Sequence, residues 1–164
     1  MKYLLLDRSE RRALLSRLEA MPDFLTARFA SLAVVDAAVR GPNDPLSPVE
    51  QCWHLADLER EGFGVRIQRL LEEEDPFLPD FDGARIARER EYPSRKIPEA
   101  LAAFRVARDA NLALLRSLEA DQWSRGGRQE GVGPVALCDL PQLMAEHDAG
   151  HRAEIDEWSQ RQEK

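Results

Sequence analysis

The chain is poor in the residues that small proteins use as staples and hinges. Among 164 residues there are two cysteines, three histidines, three methionines and nine glycines, and aromatic residues make up 7%. Two cysteines do not build a disulfide framework in a chain of this size. No apolar run approaches the ~20 residues of a membrane-spanning helix, and no basic stretch leads into an apolar one near the start. Cations are in deficit: 23 Lys and Arg face 30 Asp and Glu, a net charge of -7. Nucleic-acid affinity needs a basic footprint, so a general phosphate-binding surface is not expected. The local run from Arg85 to Arg90 is interleaved with Glu89 and followed by Glu91, and reads as a solvated face. Together these absences lead to the expectation of a soluble, cytoplasmic protein with no nucleic-acid or membrane partner. Low-complexity tracts and repeats are missing too, as are a nucleophile elbow, a phosphate loop and a cysteine-rich zinc pattern. Gly126, Gly127, Gly131 and Gly133 follow no phosphate-binding spacing and read as a mobile turn.

What the chain does have is helical periodicity. Apolar residues make up 43% and charged residues 32%, an ordinary globular mixture. The length suits one domain over 1–164. Leu14, Leu18, Met21, Leu25 and Leu32 recur at helical spacing from about Arg8 to Leu32, with a kink or restart expected at Pro22. Ser47, Pro48 and Glu50 form a capping-box signature for a second helix that runs to about Glu74, before Asp75-Pro76. A third covers about Pro98 to Leu118. A fourth runs from about Asp139, with Gln142 three residues on as a second capping-box signal, to about Gln160. The connections after the second and third helices, about 22 and about 19 residues, exceed the usual bundle loop. An all-α four-helix bundle with long crossover connections buries all four apolar stripes.

All three histidines fall where one ion could collect them. His147 and His151 are four residues apart, a rotation of about 40°, so they project from one helix face. With His147 as zero, Leu140 and Trp158 lie near +20°, Leu143 near -40° and Glu154 near -20°, at about 100° per residue. The pair therefore sits on the apolar stripe. With His54 as zero, Val65 lies near +20°, Leu58 near +40° and Glu61 near -20° by the same rotation of about 100°. His54 also points inward, at a depth that matches His147 if the second and fourth helices run parallel. That makes parallel second and fourth helices a topological expectation.

Three imidazoles on a zinc-like ion leave one position open for water or substrate, the pattern of catalytic rather than structural sites. A buried, unpaired imidazole costs free energy, so three without a metal would each need another partner. Cys52 lies about 160° around the helix from His54, and Cys138 precedes the fourth helix, so both read as inert small hydrophobes. Asp57, Glu61, Asp148 and Glu154 lie within a turn or two of the histidines. They are candidates for holding an imidazole N–H or for acid–base work. Asn111 lies on the third helix's apolar stripe and reads as a bond across the bundle, with Arg108 at the edge of that stripe.

The segment from Ser47 to Glu59 (SPVEQCWHLADLE) and the segment from Leu143 to Ile155 (LMAEHDAGHRAEI) resemble the DinB-like, or YfiT-like, superfamily of metal-binding bundles, not the DNA polymerase that shares the name. The stretch from Ala100 to Leu118 with Trp123, and the lead-in from Gly133 to Leu137, resemble it too. The likeness spans most of the chain. It implies a four-helix bundle that binds a divalent metal, zinc or nickel first and iron or manganese next, through His54, His147 and His151. It also implies a homodimer. Some branches resemble transferases acting on low-molecular-weight thiols, and others resemble hydrolases, so a small-molecule substrate is expected. One departure is Leu46, where relatives often carry an aromatic residue before the helix cap. The leading expectation is a metal-dependent enzyme of thiol S-transfer or hydrolysis; the alternative is a non-catalytic, stress-related metal-binding or interaction protein.

Overall fold

The structure is a computed structural model that describes residues 2–42 and 44–162. Four helical arms carry it. The first is α1 (Lys2–Leu5), α2 (Arg8–Glu19) and α3 (Met21–Phe29), with a short α4 (Val34–Ala37) following. The restart at Met21-Pro22 is the one the proline demands. The second arm is α5 (Pro48–Asp57), a π-helical stretch (Leu58–Gly64) and α6 (Val65–Glu72). Ser47 caps it, and Glu50 reaches back to accept from the Ser47 backbone N–H at 2.9 Å and from its hydroxyl at 2.8 Å. The third arm is α8 (Ile97–Arg116) and the fourth is α9 (Leu140–Gln162), with α7 (Gly83–Glu89) in the crossover between the second and third.

Two apolar clusters reveal the direction of each arm. One joins Leu14, Leu15 and Leu18 of the first arm, Leu58, Ile67 and Leu70 of the second, Leu112 and Leu115 of the third, and Leu140 and Met144 of the fourth. The other joins Met21, Leu25 and Phe29, then Val49, Trp53 and Leu55, then Ala100 and Phe104, then Ile155. The first and fourth arms thus run one way, and the second and third run the other. The bundle is up–down–down–up.

The second and fourth arms are therefore antiparallel, which overturns the expectation that they run parallel. Residue pairs run in opposite senses along them, from Arg161 with Asp44, through Glu154 with Gln51, to His147 with His54. The depths still match because the arms are staggered. The end of α9 runs past the start of α5, and α6 runs past the start of α9. The crossover joins the parallel second and third arms instead.

Two further stretches gain detail. The glycine-rich stretch is a β-hairpin, β2 (Gly126–Gln129) with β3 (Gly133–Ala136), and β1 (Phe77–Leu78) pairs parallel to β2. Gly131 and Gly133 adopt φ of 73° and 96°, which side chains rarely tolerate, so they serve the turn that joins the two strands. Asp139 accepts from the Ala136 N–H at 2.9 Å, Gln142 donates to Glu146 at 2.8 Å, and α9 starts at Leu140. Among the described residues, no helix is long and apolar enough to cross a membrane.

Candidate metal centre

A polar layer lies between the two apolar clusters, and the histidines are part of it. His54 comes from α5, one turn before the π-helical stretch, while His147 and His151 come from successive turns of α9. The His147 Nε2 lies 3.4 Å from the His54 Nε2 and 3.1 Å from the His151 Nε2. Among the described residues these three form the one group of His, Cys, Asp or Glu side chains able to hold a metal ion. Ligand nitrogens at tetrahedral angles around an ion with bonds of about 2.0–2.1 Å stand about 3.3–3.4 Å apart. The measured separations fit, and so does the chemistry, because ligation needs neutral imidazoles. Burial drives the His54 pKa down to about 4 and that of His147 to about 3, with the neighbouring imidazoles reinforcing the shift. The His151 pKa is also lowered, again by burial.

The proton of His151 is placed by its other ring nitrogen. Nδ1 lies 2.6 Å from the Gln51 Oε1 and 3.2 Å from a Glu154 carboxylate oxygen, so Nδ1 donates and Nε2 keeps its lone pair for the centre. The Gln51 amide donates to Glu154 at 2.6 Å, which completes a small ring of partners. Gln51 was not among the residues singled out by sequence. Its signal was available: it lies one turn before His54 on the same helix face.

The other carboxylates hold the scaffold. Asp57 accepts from the Tyr92 hydroxyl at 2.6 Å and pairs with Arg90 at 2.6 Å and Arg60 at 3.0 Å. Glu61 pairs with Arg60 and Arg90. Arg90 is therefore a clamp on the crossover, not part of a solvated face. Asp148 turns away from the histidines and takes two hydrogen bonds from Arg108, at 2.7 and 3.0 Å. Arg108 is fully buried, not at the edge of the stripe, and also reaches Glu59 at 2.9 Å and the Leu18 carbonyl at 2.9 Å. Asn111 bonds across the bundle as expected, to the Glu59 carboxylate at 2.8 Å and its carbonyl at 2.9 Å. Of the four candidate carboxylates, Glu154 alone is placed against a histidine. Cys52 and Cys138 are buried thiols whose pKa values burial pushes up, as inert side chains require.

The π-helical stretch changes which residues face the centre. Its wider turns shift the helical phase, so rotation counted at ~100° per residue from His54 fails beyond Leu58. Val65 is 40% exposed rather than inward, and Arg66 is buried instead. Two clefts share His54. A larger one of about 920 Å³ is lined by His54, Glu50, Gly83, Arg88, Tyr92 and Ser94, among others. A smaller one of about 310 Å³ is lined by His54, His147, Phe63, Arg66, Phe81 and Gln129, among others.

Among solved structures, the chain is similar to YfiT from Bacillus subtilis, described as a probable metal-dependent hydrolase with an unusual four-helix bundle topology. The TM-score is 0.86 at 21% identity, over 96% of this chain and 90% of that one. It is also similar to the mycothiol-dependent maleylpyruvate isomerase, with a TM-score of 0.70 at 10% identity over 88% of this chain. This chain spans 60% of that enzyme's length. At these identities the likeness establishes the shared fold. No curated protein matches the chain by sequence. The family model of the DinB superfamily matches residues 7–155. The chain is thus a member of the DinB superfamily.

Proposed function

We propose that this protein is a metal-dependent enzyme whose divalent ion is held by His54, His147 and His151, and that it transfers a small thiol to an electrophile. The observation that carries this reading is the convergence of three imidazoles, beside two clefts that share His54. Such a centre, when loaded, lowers the pKa of a bound thiol or water and so supplies a nucleophile near neutral pH. The chain's own residues do the rest. Gln51 and Glu154 hold the His151 ring in the tautomer that leaves Nε2 free. Glu154 accepts from the His151 Nδ1–H and so strengthens that ring as a donor to the centre. Phe63 and Phe81 give the smaller cleft an apolar wall. Two separate clefts suit two substrates, one for the thiol and one for the electrophile. Hydrolysis is the second reading, favoured by the likeness to YfiT over 96% of the chain.

Elemental analysis of the purified protein beside a His147→Ala variant tests the centre. About one equivalent of a divalent metal is expected in the parent and far less in the variant. Equal content in both overturns the ligand assignment. A screen of small thiols with electrophilic and ester substrates then separates transfer from hydrolysis.

A further inference from the structure

Arg66 stands out among the cations of the bundle because its side chain is largely buried while its guanidinium has no close partner. Its side chain is 9% exposed, and its nearest carboxylate oxygen, on Asp80, lies 4.0 Å away. That distance exceeds a hydrogen bond, and Asp80 is itself 68% exposed. Among the described residues, nothing else pairs with the guanidinium. Phe63 carries the Arg66 guanidinium carbon 5.7 Å from its ring centroid. Burial lowers the Arg66 pKa, with Asp80 opposing the shift. Among the described residues no acceptor lies within hydrogen-bond distance of its five donors, which leaves them available to an incoming anion. Arg108, which is fully buried, has by contrast two carboxylates and a carbonyl.

Arg66 lines the smaller cleft beside His54 and His147. A second unmet polar group lines the same cleft. The Gln129 Oε1 is buried with no hydrogen-bond partner among the described residues. The remaining walls are the exposed Asp80 and five apolar side chains, Leu58, Phe63, Phe81, Val132 and Leu143. The cleft therefore has an apolar body, an unpaired cation at one place and the histidine cluster at another. Its volume of about 310 Å³ suits a molecule of few heavy atoms.

We propose that the smaller cleft is a carboxylate-binding site in which Arg66 receives the carboxylate of a small organic acid whose apolar part lies against Phe63 and Phe81. Guanidinium and carboxylate match as a two-pronged pair, and the ligand displaces the loose contact to Asp80. As the electrophile's subsite in catalysis this rests on the metal-enzyme reading above; as a binding site it stands alone. It gives the second substrate a chemical class, a small carboxylic acid that presents its reactive atom to the histidines.

The test is calorimetric titration with benzoate and, as its uncharged analogue, benzyl alcohol. Both are run on the protein as purified and after chelator treatment. Benzoate is expected to bind in both states. The Arg66→Met variant is expected to bind it about tenfold more weakly or worse, because a charge-assisted pair is lost. Benzyl alcohol binding stays the same in that variant, and Arg66→Lys recovers part of the benzoate affinity. Should Arg66→Met fail to fold, Arg66→Gln takes its place in the same titration. The proposal is overturned if the parent does not bind benzoate, if the variant binds it equally well, or if chelation alone abolishes binding. A parent that holds no metal yet binds benzoate through Arg66 sinks the enzyme reading and leaves this site standing.

Discussion

Gly83 shows how little room surrounds the histidine cluster. It opens α7, and a Cβ at that position would lie 2.9 Å from the His54 Nδ1 and 3.0 Å from its Cε1. The ring has little freedom to retreat. Phe81 meets it edge-on with centroids 6.1 Å apart, and both partner imidazoles lie on its other side. A Gly83→Ala variant is expected to lose roughly tenfold to hundredfold in metal affinity, the range typical of disturbed supporting contacts. Its metal-free stability is expected to change by no more than about 1 kcal/mol, because alanine suits a helix. Competition with a chelator reads the first quantity and chemical denaturation the second. Unchanged affinity would mean that the ring tolerates the methyl.

At the scale of elements, the buried network around Arg108 sets how the arms face one another. One guanidinium ties Glu59 of the second arm, Asp148 of the fourth and the Leu18 carbonyl of the first. Asp148 is the immediate neighbour of His147, so this tie fixes the rotation of α9 that turns His147 and His151 to the centre. Removing the cation strands two buried carboxylates. An Arg108→Met variant is expected to lose about 3–5 kcal/mol of stability, as broken buried pairs do. Its denaturation midpoint falls accordingly. A loss under about 1 kcal/mol would show that the network is dispensable to the fold. The π-helical stretch belongs to the same scale. Gly64 leaves the space in which Asn111 reaches Glu59: a Cβ there would meet the Asn111 Oδ1 at 3.1 Å and the Glu59 carbonyl at 3.2 Å.

For the molecule as a whole, the buried imidazoles make metal-free stability depend on pH. Unfolded, each titrates near 6.5, whereas burial holds His54 near 4 and His147 near 3 in the fold and also lowers His151. Above about pH 6.5 both states are neutral and these groups add no dependence. Below it the unfolded chain binds protons that the folded chain refuses, so stability falls as pH drops toward 4. Glu50 and Glu61, held below the usual carboxylate range by their arginine partners, extend the loss to lower pH. Denaturation of metal-free protein at about pH 7.5 and about pH 5 is expected to show clearly lower stability at the acid value. A His147→Leu variant flattens that dependence. Equal stability of the parent at both values would mean that the imidazoles are solvated or already paired.

Taken by itself, the sequence determined the number of arms, most of their ends and the identity of the three converging histidines. Those features are local. Ser47, Pro48 and Glu50 start a helix wherever it is placed, Pro22 interrupts one, and a spacing of four puts His147 and His151 on one face. Only the tertiary structure decided the arm directions, the hairpin beneath the bundle and the true surroundings of the centre. Stagger between arms lets antiparallel helices match depths that a count from their starts assigns to parallel ones. The π-helical turns shift the phase of everything after Leu58, so Arg66 faces inward and Val65 does not. Carboxylates near the histidines along the chain are claimed by arginines distant from them in sequence, such as Asp148 by Arg108. Buried charges must be paired, and which partner is within reach depends on how the arms pack.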